Sequence, residues 1–168
     1  GTNTLTCLVN SISVTATGGG TYSWDNGLGT NANATITAAG TYTVTVTGAN
    51  GCVDTESITI NQDITAPAAG ITNNTGTTVL SCLVNSISVT ATGGGTYSWD
   101  NGLGNSANAT ITAPGTYTVT LTASNGCTTT ASITITQDVA TPTAAITNNT
   151  GTNTLTCLVN SISVTATG

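Results

Sequence analysis

The chain has no lysine, arginine, histidine, methionine or phenylalanine among its 168 residues, and only six carboxylates. Each gap removes a class of function. With no cation and a net charge of −6, the chain has nothing to neutralise phosphates, so it does not read as a nucleic-acid binder. The same lack removes polybasic contact with anionic lipid. Without His or Lys a Ser or Thr nucleophile has no base, and the carboxylates are too few to pair as acid and base. The sequence is therefore not that of an enzyme. No apolar run approaches the ~20 residues of a membrane-spanning helix, so no membrane insertion is expected. Residue 1 lies within a repeat rather than a leader, so export is expected to be encoded outside residues 1–168. Trypsin-like proteases find no site to cut, which suits exposure outside a cell.

What is present is repetition. Cys7, Cys82 and Cys157 each open the phrase CLVNSISVTATG, which sets a period of 75 residues. Residues 1–75 and 76–150 agree at 57 of 75 positions, and residues 151–168 reproduce 1–18 without change. Such self-similarity marks a tandem array. The expected units are 1–65, with its first strand truncated, a complete repeat at 66–140, and the start of a third at 141–168. Pro67 and Pro142 mark short extended linkers between them.

The complete repeat reads as strands throughout. In SISVTAT, Ile87, Val89 and Ala91 alternate with Ser88, Thr90 and Thr92, the period of a strand with one buried face. Gly93–Gly95 turns the chain, and in TYSWDNG both Tyr97 and Trp99 fall on one face. Ala69–Thr72 and Thr78–Leu80 read as a split first strand broken by the turn Asn73-Asn74-Thr75-Gly76. Ala109–Ala113 is a short strand. TYTVTLTA then points Tyr117, Val119 and Leu121 inward, and Asn125-Gly126 is a strong hairpin signal before TTTASITIT. About seven strands and no helical period predict an all-β fold. It is a series of tandem immunoglobulin-like antiparallel β-sandwich repeats stacked head to tail, with Trp24, Tyr42, Trp99 and Tyr117 as the structural core. A core this small gains from neighbours and cross-links.

The phrases SISVTATGGGTYSWDNG, ATITAPGTYTVTLTASNGC and ASITITQD resemble the immunoglobulin-like and PKD-like tandem repeats of giant secreted cell-surface adhesins of Bacteroidota, including gliding-motility adhesins of the SprB type. The residues that carry the resemblance are Trp99, Gly115-Thr116-Tyr117 and Asn125-Gly126-Cys127, with Trp24, Gly40-Thr41-Tyr42 and Asn50-Gly51-Cys52 as counterparts. The resemblance implies export to the surface of a bacterium and a role as stalk or adhesive fibre. It transfers no catalytic residue.

Five cysteines at recurring places suit an oxidising, extracellular setting. Two pairings are open. Spacing offers Cys7 with Cys52 and Cys82 with Cys127 inside each repeat. If Tyr117 opens the sixth strand as a tyrosine corner, however, Cys82 and Cys127 lie at opposite poles of one sandwich, roughly 20 Å apart at ~3.3 Å per residue. A disulfide needs Cα atoms within about 7 Å. Head-to-tail stacking offers instead an inter-domain staple, Cys7 with Cys127, leaving Cys52, Cys82 and Cys157 to partners outside the window. Thiol-bound metal is not expected without CxxC or His.

Asp25, Asp100, Asp63 and Asp138 are candidate Ca²⁺ ligands, the first two in WDNG phrases and the others at the linkers; turn capping needs no metal. No other cofactor is expected. Thr41-x-Thr43-x-Thr45-x-Thr47 has the spacing of flat ice-binding ladders, but a twisted sheet spoils that match. The function expected is the structural repeat region of an extracellular fibre, stalk or filament of a cell-surface adhesin. Its partners would be neighbouring repeats and further copies of the chain. The alternative is a repeated module that binds surface glycans or protein through loops such as Gly93–Gly95 and Leu103–Asn108.

Overall fold

The computed structural model describes residues 1–168, and every regular element in it is a strand. No helix is long and apolar enough to cross a membrane. The first unit comprises β1 (Thr4–Thr6), β2 (Ile12–Thr15), β3 (Thr21–Trp24), β4 (Asn33–Ile36), β5 (Gly40–Thr47) and β6 (Val53–Asp63). The second comprises β7 (Gly70–Asn73), β8 (Val79–Ser81), β9 (Ile87–Thr92), β10 (Thr96–Trp99), β11 (Asn108–Ile111), β12 (Gly115–Thr122) and β13 (Thr128–Asp138). Two further strands, β14 (Ala145–Asn148) and β15 (Val164–Thr167), pair antiparallel with each other.

The second unit is an immunoglobulin-like sandwich. One sheet runs β11-β9-β7 and the other β10-β12-β13-β8. The alternating residues interleave between the sheets as their period requires. Ile87, Val89, Val119, Leu121 and Ile111 are fully buried and close around Trp99 and Tyr117 in one continuous core. Ala131 and Ile133 of β13 are half-buried and pack against this core.

The first strand is split, one residue later at each end than its composition suggests. Asn73 organises the break: its Oδ1 accepts from the Thr75 and Gly76 amides at 3.0 and 3.2 Å, and its Nδ2 donates to the Thr77 carbonyl at 2.8 Å. β7 pairs antiparallel with β9 in one sheet; the chain then crosses, and β8 pairs parallel with β13 in the other. The parallel pair is unexpected in a sandwich read as antiparallel. It arises because the chain keeps its direction through the break while changing sheets.

The first unit repeats this plan with β1 parallel to β6 and the sheet β1-β6-β5-β3. Here β2 has β4 alone beside it. With no strand in the place Ile71 holds in the second unit, the core divides into two clusters. A cleft of about 360 Å³ opens over Val14, Ala16, Trp24, Val44 and Val46.

One indole and one phenol lock each sandwich. Trp24 and Trp99 donate Nε1–H to the carbonyls of Asn31 and Ser106, both at 2.9 Å. The Tyr42 and Tyr117 hydroxyls donate to Ala38 and Ala113 four residues upstream, at 3.0 and 2.9 Å, the geometry of a tyrosine corner.

Candidate functional site

The two units meet at a joint built from three short pieces. The first is the loop after β1. Thr6 opens it, its Oγ1 accepting from the Leu8 and Val9 amides at 3.2 and 3.0 Å, while its own amide donates to the Val9 carbonyl at 2.8 Å. A Thr side chain that satisfies two amides in this way fixes a tight turn, and Cys7 and Leu8 stand out from it. The second piece is the turn between β12 and β13. Its amides close Ala123 onto Cys127 and Gly126 onto Ala123, both at 2.9 Å, and Asn125 Oδ1 accepts from the Cys127 amide at 3.0 Å. The third is the end of β6 with the linker after it, Asp63 to Thr65.

Cys7 and Cys127 form a disulfide, with S–S 2.02 Å and Cα–Cα 5.1 Å. Beside it Leu8 lies against the α-carbon of Gly126, where any Cβ would collide with it. Gly126 also has φ +81°, which suits glycine. On the other side Asn125 Nδ2 donates to Asp63 Oδ1 and to the Thr65 carbonyl, both at 3.0 Å. The Asn125 amide first, and then the Thr65 backbone amide, hold the Asp63 carboxyl below its ordinary value near 3.8. Enclosed by these contacts, Cys127 is buried.

Of the pairings open in the sequence, neither Cys7 with Cys52 nor Cys82 with Cys127 is formed. Cys52, Cys82 and Cys157 are exposed thiols. Asn125-Gly126 is not the two-residue hairpin turn its composition suggests, because the loop spans Ala123–Cys127 between the paired Thr122 and Thr128. The Asn-Gly pair with both φ values positive is Asn101-Gly102, at 51° and 76°, and Asn26-Gly27 matches it.

The candidate calcium ligands are spread apart. Asp100 Oδ1 accepts from the Thr118 amide at 2.9 Å and from Asn101 Nδ2 at 3.2 Å, which ties the end of β10 to β12; Asp25 makes the same bonds to Thr43 and Asn26. Asp63 is engaged by Asn125, and Asp138 accepts from the Ala140 amide at 3.3 Å. Nowhere do three or more His, Cys, Asp or Glu side chains gather. The Gly93–Gly95 loop is used for close backbone approach. A Cβ at Gly93 would strike the Ala68 carbonyl and Leu121, and one at Gly95 the Thr122 carbonyl.

The Asn125–Asp63 contact and the seat of Leu8 on Gly126 escape a reading of the sequence, where Asn-Gly stands for a turn and an exposed Leu for nothing. The only signal was the repetition of Leu immediately after each of Cys7, Cys82 and Cys157.

Comparison with known proteins places residues 65–137 in a match to the PKD domain family model. No curated protein matches the chain. Among solved structures, one similar chain is described as the structure of the amphioxus IgVJ-C2 molecule, 16% identical. The match covers 76% of this chain and 96% of that one with a TM-score of 0.37.

Proposed function

We propose that the chain is a structural segment of an extracellular array: sandwich units strung end to end into a stiff fibre or stalk on a bacterial surface, of the kind found in SprB-type adhesins. The observation that carries this reading is the joint. A linker that only tethered two domains would leave them to move independently, whereas here a disulfide, an apolar contact and a carboxylate–amide bond meet across the linker. All three use residues that recur with the repeat, as a unit built to stack requires. The match of one repeat to the PKD family, and cysteines that oxidise, support a place outside the cell. The Thr-covered, cation-free surface is compatible with further copies lying alongside.

Electron microscopy of the oxidised chain, together with a glycan array, tests the proposal. Rigid rods of constant inter-unit angle without saturable ligand binding are expected. Units at random angles, or saturable glycan binding by a single repeat, would overturn it in favour of a binding module. A melting curve unchanged by chelator is expected as well, since each candidate carboxylate already serves a turn or the joint.

A further inference from the structure

Asn-Gly occurs four times, at Asn26-Gly27, Asn50-Gly51, Asn101-Gly102 and Asn125-Gly126. This dipeptide is prone to losing its side-chain amide, because glycine has no Cβ to keep its backbone nitrogen away from the asparagine Cγ. The attack requires the side chain to swing onto that nitrogen, so whatever holds Nδ2 and Oδ1 holds off the reaction. In the WDNG turns the hold is internal to one unit. Asn101 Nδ2 donates to Asp100 Oδ1 and to the Thr116 carbonyl, both at 3.2 Å, and Asn26 Nδ2 donates to Asp25 Oδ1 and the Thr41 carbonyl at 3.2 and 3.1 Å. At Asn125 the hold comes from the neighbour. Both Nδ2 bonds, to Asp63 Oδ1 and the Thr65 carbonyl at 3.0 Å, cross the joint, and Leu8 of the first unit packs on Gly126. Its own unit supplies only the Cys127 amide to Oδ1 at 3.0 Å, and the Ala123 carbonyl to the Gly126 amide at 2.9 Å.

From this we propose that Asn125 is a modification site guarded by the joint. While the two units are clamped the side-chain amide is kept; when the joint opens it is lost by spontaneous deamidation, and the joint then resists closing again. The inference rests on the array reading, since the guard is the joint itself.

The step consumes water alone. The Gly126 nitrogen bonds to Asn125 Cγ and gives up its proton; the bond from Cγ to Nδ2 breaks, and ammonia leaves carrying that proton. The five-membered succinimide takes up one water at either carbonyl, and a ring C–N bond breaks. The product is an aspartate, or an isoaspartate joined through its side chain, and the acid proton ends on ammonia as ammonium. Either product sets a carboxylate against Asp63 where a donor stood, in a chain with no Lys, Arg or His to offset the pair. Isoaspartate also adds one methylene to the main chain ahead of Gly126, which moves the glycine from under Leu8.

The test follows amide loss at each Asn-Gly pair by peptide mapping of the whole chain held in mildly alkaline buffer. The oxidised chain is compared with Asp63→Ala in reductant, where the bond to the carboxylate and the disulfide are both gone. Amide loss at Asn125 should be about tenfold or more faster in the second form, while Asn101 keeps one rate in both. Exposed Asn50, whose side chain is bonded only through Oδ1 to the Cys52 amide at 3.1 Å, gives the unguarded rate. After reduction and reoxidation, Asn125→Asp should re-form the Cys7–Cys127 bond about tenfold more slowly, and adding Asp63→Asn, which puts a donor opposite the new carboxylate, should raise the rate again. Amide loss at Asn125 as fast as at Asn50 in the oxidised chain, a rise at Asn101 equal to that at Asn125, or reclosure indifferent to Asn125→Asp would each overturn the proposal. The Cys7–Cys127 peptide in the oxidised map separates the two failures. If it is present beside an unguarded Asn125, only this inference fails; if it is absent, the array reading loses its joint.

Discussion

Gly126 and Asp63 show how much of the joint hangs on single residues. Gly126 carries both a left-handed φ and the methyl groups of Leu8, so Gly126→Ala meets strain and collision together. The expected result is a lower yield of the Cys7–Cys127 peptide after oxidative refolding, with the fluorescence of the two buried indoles unchanged. Asp63 gives a pH dependence with a definite sign. Its folded value lies below the ordinary one near 3.8, so its contribution is present above that pH and is lost as pH falls through the depressed value. The Asn125 side-chain amide resonance should titrate with a midpoint below 3.8, and Asp63→Asn should abolish that titration. Within the core, Trp99→Ala should cost about 3–5 kcal/mol, enough to unfold a small sandwich, read as loss of the second unit's thermal transition.

Among the elements, β9 and β12 were legible because Ile87-x-Val89-x-Ala91 and Tyr117-x-Val119-x-Leu121 carry the period of two that a half-buried strand imposes. Their outward Thr rows gave the hydroxyl pairs Thr116–Thr134 and Thr118–Ser132, each at 3.0 Å, no individual signature. The parallel pairing of β8 with β13 was not legible. Three residues, Val79–Ser81, have no period of their own, and their sheet is decided by the crossover at Asn73 rather than by their pattern. That crossover makes a prediction of its own. Asn73→Ala removes the acceptor of two amides and the donor to Thr77, so it should cost about 1–2 kcal/mol. It should also raise amide exchange in β8 ahead of β9, as measured by hydrogen–deuterium exchange. The candidate site was half legible for a related reason. Cysteine spacing and strand direction narrow the disulfide pairing, whereas Asn125 reaching Asp63 depends on how two bodies meet, which no local pattern records.

For the whole molecule, the linker and the staple give opposite tendencies. Residues between Asp63 and Gly70 form no strand, and a free linker of that length would let the units swing. The joint cancels that freedom at one point on each unit. Reduction of Cys7–Cys127 should therefore leave both sandwiches folded while the distribution of inter-unit distances widens. Circular dichroism should be unchanged, and small-angle scattering should report a broader maximum dimension. An unchanged scattering profile on reduction would mean that Leu8 and Asn125 hold the joint without sulfur.

The bond between Cys7 and Cys127 also reroutes mechanical load. A pull applied at the two ends enters at residue 7, crosses the sulfurs and leaves at residue 127, so everything from 8 to 126 lies inside a closed loop spanning a sequence separation of 120. The pull falls on β1 and β13 outside that loop, and the strands inside it, β2 to β12, are thereby spared tension. Unfolding them cannot lengthen the strand between the clamps until the sulfurs part, which would release on the order of 400 Å of slack at ~3.5 Å per residue. A fibre tied in this way behaves as a cord of fixed length rather than a spring, and reductant is what would turn the one into the other.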